Sequence, residues 1–389
     1  MTHAQSDVAI VGGGPAGLYA GLRLARAGWQ VDLFEEHPQI GEPVHCTGVL
    51  ASDAFDVFGL PSDAVLNELK TVRFYAPSGD SVEHSTPSVE AVVIDRARFD
   101  GQLAEAAERA GVRVQRARVT AIDIDRDVVR LTAGDDHARA RVVVLACGAN
   151  YALQQRLGLG RPRLMLQSAQ AELPAGRMGP VEVHFGADIA PGGFAWAVPV
   201  HRPDRTCVRV GVMCDNDASR HYRLMLDSIA SRWGVRVQAC GAPRQKILPL
   251  APIKRTYGHR VLVLGDAAGL VKPTTGGGIY YSLLSAELAA ETLGEKLATD
   301  ELQRDALAAY ERAWRKRLGS ELRWQLILRR LAQRLSDADI DRLFELAQTD
   351  GIMPLVRRTA AFNHHREFIV ALLKHPPARR VLFRAALAH

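Results

Sequence analysis

The sequence predicts an α/β fold into which an antiparallel sheet is inserted, followed by a C-terminal helical region. A short apolar run near residue 10 leads into a glycine-rich turn and then a helical pattern, and the same order of elements recurs near residue 265. Between these places, short apolar runs separated by turn residues are typical of β-strands, whereas the residues after 300 have helical periodicity. One open α/β sheet, a second sheet and a helical end account for all of these patterns.

The first glycine-rich turn has the spacing of a phosphate-binding loop. Residues 8–11 (VAIV) form an apolar run of buried-strand type, and Gly12, Gly14 and Gly17 follow before a helical stretch at 18–27. The first glycine permits the tight turn, the second lets the backbone approach a pyrophosphate, and the third lets the helix pack on the strand. The helix N-terminus offers free N–H groups to the phosphates. These features predict a Rossmann-like nucleotide-binding unit.

An acidic residue at the end of the next strand supports this prediction. Residues 31–34 form a second apolar run, and Glu35 follows it at the place where ribose hydroxyls are bound, about 20 positions after the glycines. Its carboxylate would repel a 2′-phosphate, so this loop is predicted not to hold NADP. A glycine-rich turn without a ligand would not explain the three glycines together with this Glu. The predicted contacts of this half are Gly12, Gly14, Ala16, Gly17, Glu35 and Glu36.

A second loop indicates which dinucleotide is bound. Residues 260–264 (RVLVL) form an apolar strand that ends in a Gly-Asp pair, and Asp266 is placed to accept hydrogen bonds from the hydroxyls of a ribityl chain. Pro273 and the glycines at 276–278 bring bare backbone close to a flat group, and a helix at 279–293 points its N-terminus at that group. Two such loops predict flavin adenine dinucleotide (FAD); the alternative for Asp266 is a simple helix N-cap. The predicted contacts of this half are Gly265, Asp266, Pro273, Gly276, Gly277, Gly278 and Ile279.

With both loops in place, the chain resembles the FAD-dependent geranylgeranyl reductase family, within the p-hydroxybenzoate hydroxylase-like fold group. The GGGPAG and GDAAG loops are shared by the whole fold group, whereas residues 43–46 (PVHC) match the P-x-x-C motif of this family. Residues 96–111 are similar to the family's R-x-x-F-D-x-x-L helix, and by that match the resemblance implies that Arg98 contacts the cofactor. Gly148, after the apolar strand 141–146, is expected to be a further contact.

The family's substrate signature, an aromatic residue followed by W-x-F-P, is matched in part. Phe194, Trp196 and Pro199 keep three of its positions, and Val198 replaces the Phe. The resemblance implies that Phe194 and Trp196 contact an apolar, prenyl-type substrate. Ordinary core packing is the alternative for Trp196.

The resemblance implies a reductase that saturates carbon–carbon double bonds of a geranylgeranyl-type chain, with NAD(P)H as the transient reductant of the flavin. Such an alkene has no polarising group, so its reduction also needs a proton donor. Cys46 is the donor that the family match implies, and His45 is the neighbour able to tune it. The alternatives are a small buried apolar residue for Cys46 and a structural hydrogen-bonding residue for His45.

The middle of the chain is predicted to form the substrate side. Runs at 71–75 and 81–85 flank a turn and predict a hairpin. Four further runs predict one antiparallel sheet that roofs the flavin: residues 165–172, 181–185, 194–200 and 207–213. The predicted domains are an FAD-binding domain (1–65 with 92–163 and 255–299), a β-rich substrate domain (66–91 with 164–254) and a C-terminal helical region (300–389).

Composition favours a cytoplasmic enzyme. The chain has 389 residues, of which 47% are hydrophobic, and no apolar run approaches the length of a membrane span. The first strand begins almost at the N-terminus, so no signal peptide is expected. The five cysteines are odd in number and form no C-x-x-C pair, which predicts reduced thiols and neither a disulfide framework nor a metal site.

Positive charge is concentrated at the C-terminal end. Residues 301–389 contain 17 Arg and Lys against 10 Asp and Glu, a net of +7, whereas the whole chain carries +6. The excess charge predicts a basic helical surface in peripheral contact with anionic lipid or with a diphosphate, or else a solvated helix face. Nucleic-acid binding is not predicted, because no nucleic-acid motif accompanies the charge.

Two rival functions are consistent with the same motifs. The first is a flavin-dependent monooxygenase or halogenase, because residues 194–199 also resemble the W-x-W-x-I-P of flavin halogenases and Lys70 could imitate their lysine. The second is a non-enzymatic flavoprotein, an electron carrier or a membrane-docked partner module that changes no organic substrate, which a complete β substrate domain disfavours. Oxygen uptake coupled to product formation distinguishes the first rival from a reductase.

Overall fold

The computed structural model describes residues 5–349 and 351–387, and its strands form three sheets. In chain order the strands are β1 (Ser6–Val11), β2 (Val31–Glu35), β3 (Val49–Ala51), β4 (Val65–Leu69), β5 (Thr71–Tyr75), β6 (Ser81–Ser85), β7 (Ala91–Ile94), β8 (Arg113–Arg116), β9 (Val119–Ile124), β10 (Val129–Ala133), β11 (Asp136–Leu145), β12 (Met165–Pro174), β13 (Val181–His184), β14 (Phe194–His201), β15 (Thr206–Cys214), β16 (Arg244–Pro249), β17 (Tyr257–Gly258) and β18 (Val261–Val263).

The helices lie between the strands and, after residue 300, follow one another without strands in the described part of the chain. They are α1 (Pro15–Arg26), α2 (Ala54–Phe58), α3 (Arg96–Arg109), α4 (Ala152–Arg156), α5 (Ala218–Trp233), α6 (Gly265–Ala268), α7 (Ile279–Ala298), α8 (Arg304–Ala332), α9 (Asp337–Thr349), α10 (Ile352–Thr359), α11 (Arg366–Lys374) and α12 (Pro376–Leu387).

The first sheet positions the cofactor-type loops. Its strand order is β17-β18-β11-β1-β2-β8, and the pairs from β18 to β8 are all parallel. The apolar runs that predicted strands are buried here on both faces, as parallel strands require, with Val8 and Ile10 fully buried. Because the strands are parallel, their carboxyl ends meet at one edge, where an open α/β sheet binds its ligands.

Both glycine-rich turns lie at that edge, as their positions in the sequence predict. The first connects β1 to α1, which begins at Pro15, earlier than the predicted residue 18. Proline suits the first turn of a helix, because its missing N–H would have no helical partner there. The second follows β18 and leads through α6 into α7, which begins at the predicted Ile279 and continues to Ala298.

The second sheet is larger than predicted and is not purely antiparallel. Its strand order is β16-β12-β15-β14-β13-β5-β6, in which the four predicted strands occupy the centre. The predicted hairpin β5–β6 extends this sheet, and β13 pairs with β5 in parallel. The sequence could not predict that pairing, because more than 100 residues separate the two strands along the chain.

One face of the second sheet is covered and the other looks toward the first sheet. Helix α5 packs on the covered face, where Tyr222, Met225 and Trp233 are buried against alanines and valines of the strands. The opposite face carries Phe194 and Trp196. A third sheet, β3-β7-β4, packs against part of this opposite face through Val93.

The C-terminal helices combine core and surface residues. Trp314 of α8 is buried and donates its indole N–H to Thr256 Oγ1 at 2.9 Å, so it belongs to the core and not to a basic surface. Arg329 is also buried, whereas six other basic residues of α8 are exposed: Arg312, Arg315, Lys316, Arg317, Arg323 and Arg330. Within the described residues, no helix is both long and apolar enough to span a bilayer.

Candidate active site

A cavity of about 500 Å³ lies at the carboxyl edge of the first sheet. It is lined by the ends of β1, β2, β11 and β18, by the start of α7, by residues 41–46 and by β16 of the second sheet. The cavity therefore touches both predicted glycine loops and the sheet predicted to roof the flavin. Parts of the chain that are far apart in sequence therefore meet at this cavity.

The first glycine loop is packed so closely that side chains are excluded. Gly12 has φ +111°, and a Cβ atom there would lie 2.3 Å from the carbonyl oxygen of Ala146. A Cβ on Gly17 would lie 2.0 Å from the carbonyl oxygen of Gly12, so α1 packs directly on the loop. No atom lies within 4 Å of a Cβ built on Gly14, which borders the cavity. Gly12 and Gly17 therefore have no room for a side chain, and Gly14 leaves the backbone open to the cavity, as a phosphate-binding loop requires.

Glu35 closes the first loop from the side of β2. Its Oε2 accepts the backbone N–H of Gly13 at 2.6 Å, and its Oε1 accepts the backbone N–H of His37 at 2.9 Å. Both Glu35 and Glu36 border the cavity. A carboxylate fixed in this way at the end of the second strand is where ribose hydroxyls are bound in dinucleotide folds.

The second glycine loop, residues 272–278, faces the second sheet across the cavity. A Cβ on Gly278 would lie 2.7 Å from Asp266 Oδ1, and one on Gly276 would lie 3.2 Å from Leu248. Lys246, on β16, places its ammonium 3.4 Å from Asp266 Oδ2. The loop is therefore confined between Asp266 on one side and β16 on the other.

Cys46 lies in the cavity wall, and its neighbours tie it to the second sheet. Its sulfur accepts the backbone N–H of Gly48 at 3.3 Å. The hydroxyl of Thr47 donates to Gln170 Oε1 at 2.8 Å, and the carbonyl of Thr47 accepts from Arg209 at 2.5 Å. Because these two partners belong to β12 and β15, the sulfur is held where the cavity meets the sheet.

A buried ion pair lies beside Cys46. Arg96 binds Asp100 with two hydrogen bonds, at 3.2 and 2.7 Å, and its guanidinium also interacts with the Cys46 sulfur. Burial disfavours the Arg96 cation, but Asp100 and the sulfur outweigh that effect and raise its pKa. Arg96 is therefore a permanent cation next to the thiol, and such a neighbour stabilises a thiolate.

His45 lies in the same cavity wall. Burial lowers its pKa below the usual range, and the nearby cations Lys246 and Arg244 act in the same direction. Its Nδ1 is buried and has no hydrogen-bond partner among the described residues. An orphaned polar atom in a cavity wall is suited to a hydrogen bond with a bound molecule.

The face of the second sheet that looks toward the cavity carries a group of large apolar side chains. Strand register places Leu248, Met213, Phe194 and Trp196 on this cavity-side face, with Lys246 at its edge. Trp196 lies flat on Gly211, where a Cβ would come within 2.3 Å of the indole. Phe194 and Trp196 do not border the cavity itself, but they pack with Leu248, which does.

Aromatic rings continue along the cavity-side face away from the cavity. Phe185 has its ring 6.3 Å from Phe194 and 6.5 Å from Phe74, and Phe344 of α9 is 6.2 Å from Phe185. The rings of Phe74, Phe185, Phe194 and Trp196 are all only partly buried. Large apolar side chains that stay partly accessible inside a fold are typical of ligand-binding surfaces.

The structure brings most of the predicted site residues to one place. The cavity is bordered by Gly12, Gly14, Ala16, Glu35, Glu36, His45, Cys46, Gly148, Asp266, Gly276, Gly278 and Ile279. Gly17, Gly265, Pro273 and Gly277 support the two loops from outside the wall. Arg98 is not brought to the cavity: its side chain is exposed, and only its backbone N–H is engaged, in the cap of α3 by Asp95.

Within α3 the arginine that borders the cavity is Arg96, two residues before Arg98. It is the first residue of the R-x-x-F-D pattern, so a strict alignment of that motif would have identified it together with Asp100. Sequence reasoning also missed Lys246 and Leu248, which no motif marks because the strand β16 was not predicted.

The residues present fit FAD. A tight glycine loop at a helix N-terminus suits a pyrophosphate, and Glu35 suits a ribose. Asp266 suits a ribityl chain, and the orphaned His45 Nδ1 lies in the same wall. In the described residues, no cluster of three or more His, Cys, Asp or Glu is arranged to hold a metal ion.

Comparisons with known proteins show the family of this chain. The family model described as Lycopene cyclase protein matches residues 7–349. A digeranylgeranylglycerophospholipid reductase of Methanocaldococcus jannaschii is 30% identical over 369 residues, which cover 89% of this chain and 92% of the relative. The chain belongs to this family of lycopene cyclase-like proteins and reductases. This family is called the reductase family below. That the chain belongs to it confirms the family predicted from the sequence and the prediction that the protein is an enzyme.

Solved structures confirm the predicted fold class. A geranylgeranyl bacteriochlorophyll reductase-like protein of Thermoplasma acidophilum has a TM-score of 0.83 at 20% identity, covering 98% of this chain and 99% of that one. A halogenase in complex with phloroglucinol and FAD has a TM-score of 0.70 at 15% identity, covering 99% and 92%. The reductase family therefore shares its fold with flavin halogenases. Lys70, the residue that could imitate the halogenase lysine, is exposed between β4 and β5 and does not border the cavity.

Proposed function

We propose that this protein is a reductase that uses FAD to saturate carbon–carbon double bonds of a geranylgeranyl-type prenyl chain. The proposal rests on membership of a family in which the M. jannaschii relative is a digeranylgeranylglycerophospholipid reductase. The structural observation that carries it is the position of Cys46, which lies in the wall of the cofactor cavity and is tied through Thr47 to the cavity-side face.

The proposed chemistry adds a hydride to one alkene carbon and a proton to the other. Bound FAD would supply the hydride once it has been reduced. Cys46 donates the proton: its S–H bond breaks as the new C–H bond forms, and a thiolate remains. Arg96 beside the sulfur offsets the negative charge of that thiolate, and Asp100 holds the guanidinium in place. Solvent returns the proton to the sulfur after the product leaves.

The cavity-side face is the proposed binding surface for the prenyl chain. From Leu248 on β16 to Phe74 on β5 the face crosses five strand intervals, which is roughly 24 Å at the usual spacing. Four isoprene units span roughly 20 Å when extended, since each contributes four carbon–carbon bonds of about 1.5 Å. The cavity-side face from Leu248 to Phe74 thus has about the length of one geranylgeranyl chain, and its apolar side chains match the chemistry of such a chain.

Substitution of Val183 by phenylalanine is expected to shorten the usable surface. Val183 lies on the cavity-side face between Trp196 and Phe74, with which it pairs in the sheet, and the larger ring would obstruct the far end. We expect kcat/KM for a four-isoprene substrate to fall about 10–200-fold, as for other pocket-filling changes. A two-isoprene substrate should be reduced at the wild-type rate, and equal losses on both substrates would contradict the proposed path.

One anaerobic experiment tests the function itself. The FAD-loaded protein is reduced with dithionite without oxygen, and geranylgeranyl diphosphate or a geranylgeranylated glycerophospholipid is added. Flavin reoxidation with a product heavier by about 2 Da for each reduced bond supports the proposal, since each bond gains one hydride and one proton. Absence of anaerobic reoxidation, with turnover of an aromatic substrate once oxygen enters, would instead support a monooxygenase or halogenase.

We also propose that NAD(P)H is the transient reductant of the flavin. A separate proposal concerns α8, which we expect to contact anionic membranes from the cytoplasmic side. Arg312, Lys316, Arg323 and Arg330 are exposed and recur at intervals of four and seven residues, which places them on one face of the helix. Binding to vesicles with anionic lipid is expected at low salt and should weaken at high salt. Equal sedimentation with neutral and anionic vesicles would contradict the membrane proposal.

A further inference from the structure

Lys272 is buried directly behind the second glycine loop. Only 3% of its surface is exposed, and its ammonium donates to the carbonyl oxygen of Phe362 at 2.7 Å and to Asn363 Oδ1 at 2.8 Å. The ammonium also lies 4.4 Å from the centre of the Phe362 ring. Both hydrogen-bond acceptors belong to the C-terminal segment, residues 362–366, which connects α10 to α11.

The backbone of Lys272 closes the second glycine loop. Its N–H donates to the carbonyl oxygen of Gly277 at 3.0 Å, and its own carbonyl accepts from the N–H of Gly276 at 2.9 Å. Any displacement of Lys272 is therefore transmitted to the glycines that border the cavity. Those glycines have little freedom on the opposite side, where Leu248 and Asp266 confine them.

A second contact joins the same loop to the same segment. The hydroxyl of Thr274 lies 2.7 Å from His365 Nδ1 and donates to Gln325 Oε1 of α8 at 3.0 Å. The C-terminal segment is itself fixed, because Glu321 accepts the backbone N–H groups of His365 and Arg366. Asn363 completes the connection by donating to Asp53 Oδ1 at 3.1 Å.

Burying a lysine at this position carries a desolvation cost that packing alone does not require. Burial lowers its pKa to about 7, against which Asp53 and Glu321 act weakly, and no carboxylate among the described residues lies within hydrogen-bond distance of the ammonium. An apolar side chain would fill the same space without that desolvation cost. The directional hydrogen bonds to the C-terminal segment are what the lysine adds.

We propose that Lys272 is a positioning residue for the cofactor, and that the C-terminal segment completes the FAD site by holding Gly276–Gly278 through it. This inference rests on the proposed FAD site and assigns the C-terminal region a part in it. Although 90 residues separate Lys272 from Phe362 along the chain, the two act as one support. The conformation of the second glycine loop, which receives the flavin ring in this proposal, is thus fixed by the C-terminal segment as well as by the residues that line the cavity.

The test compares FAD binding by reconstituted full-length variants, without any prenyl substrate. Lys272→Met keeps the volume but leaves both acceptors unpaired, and we expect the Kd for FAD to rise about 10-fold. Asn363→Ala should change the Kd in the same direction, and the double variant should bind no more weakly than the weaker single variant, because both changes break one connection. Lys254→Met, at an exposed lysine, is the matched control and should bind FAD as the wild type does.

Hydrogen exchange of the apoprotein provides a readout that a general loss of stability would not give. Exchange should accelerate at residues 272–280 in Lys272→Met and Asn363→Ala while the core strand β1 keeps its wild-type protection. If Lys272→Met does not fold, Asn363→Ala alone decides, because it leaves the lysine in place. Wild-type FAD affinity and wild-type exchange in the variants would overturn the positioning role while leaving the proposed function intact. Failure of the wild type to bind FAD would overturn both.

Discussion

Cys46→Ala should leave FAD bound at wild-type stoichiometry and lower prenyl reduction about 10²–10⁴-fold, the usual contribution of a positioned general acid. The Cys46 sulfur borders the cavity, and Arg96 stands beside it to stabilise the thiolate that forms when the proton leaves. The alkene has no polarising group that would let the hydride add without a proton, so the reaction depends on the proton donor. The measurement is the anaerobic rate at which prenyl substrate reoxidises the reduced flavin, together with the yield of reduced product.

A second cysteine provides the control for this experiment. Cys240 is also partly buried and donates to the carbonyl of Arg236, but it does not border the cavity. Cys240→Ala should therefore keep the wild-type rate. Full activity of Cys46→Ala would exclude the thiol as proton donor, and loss of FAD from that variant would indicate a structural role instead.

Arg96→Met is expected to lower the free energy of unfolding by about 3–5 kcal/mol, because removal of one partner leaves a buried charge without compensation. That partner is Asp100, which is 3% exposed and receives both of its arginine hydrogen bonds from Arg96. The same substitution removes the cation beside Cys46, so prenyl reduction should fall even in protein that remains folded. Urea unfolding monitored by circular dichroism measures the first effect, and the anaerobic assay measures the second.

Two further variants distinguish the effect of losing the Arg96–Asp100 ion pair from the effect of any substitution in α3. Arg98→Met removes an exposed arginine of the same helix and should change stability by no more than about 0.5 kcal/mol. The double variant Arg96→Met with Asp100→Leu removes both charges and should recover most of the lost stability but not the activity. If Arg98→Met proved as damaging as Arg96→Met, the assignment of Arg96 as the cavity arginine would be wrong.

Local sequence patterns identified the two glycine loops that border the cavity, because the geometry of each loop depends on a short stretch of chain. The positive φ of Gly12 and the close approach of Gly17 to the loop backbone are requirements of a tight strand–turn–helix unit, which glycine spacing reveals directly. The position of Glu35 is also determined locally, because it is the last residue of β2. Motif alignment was less dependable inside α3, where the family match indicated Arg98 although Arg96 is the first residue of the R-x-x-F-D motif and is the one that borders the cavity.

The sequence by itself determined the α/β core, the two glycine loops and the strands that carry Phe194 and Trp196, since hydrophobic period and turn residues act over a few neighbours. Only the tertiary structure decided which residues meet across long separations. The parallel pairing of β13 with β5 brings Phe74 and Phe185 beside Phe194 and Trp196. Strand β16 brings Lys246 to Asp266. The C-terminal segment reaches Lys272 in the same way. Such contacts leave no local pattern, because they arise from strand order and from the packing of helices onto sheets, which the whole chain must fold to establish.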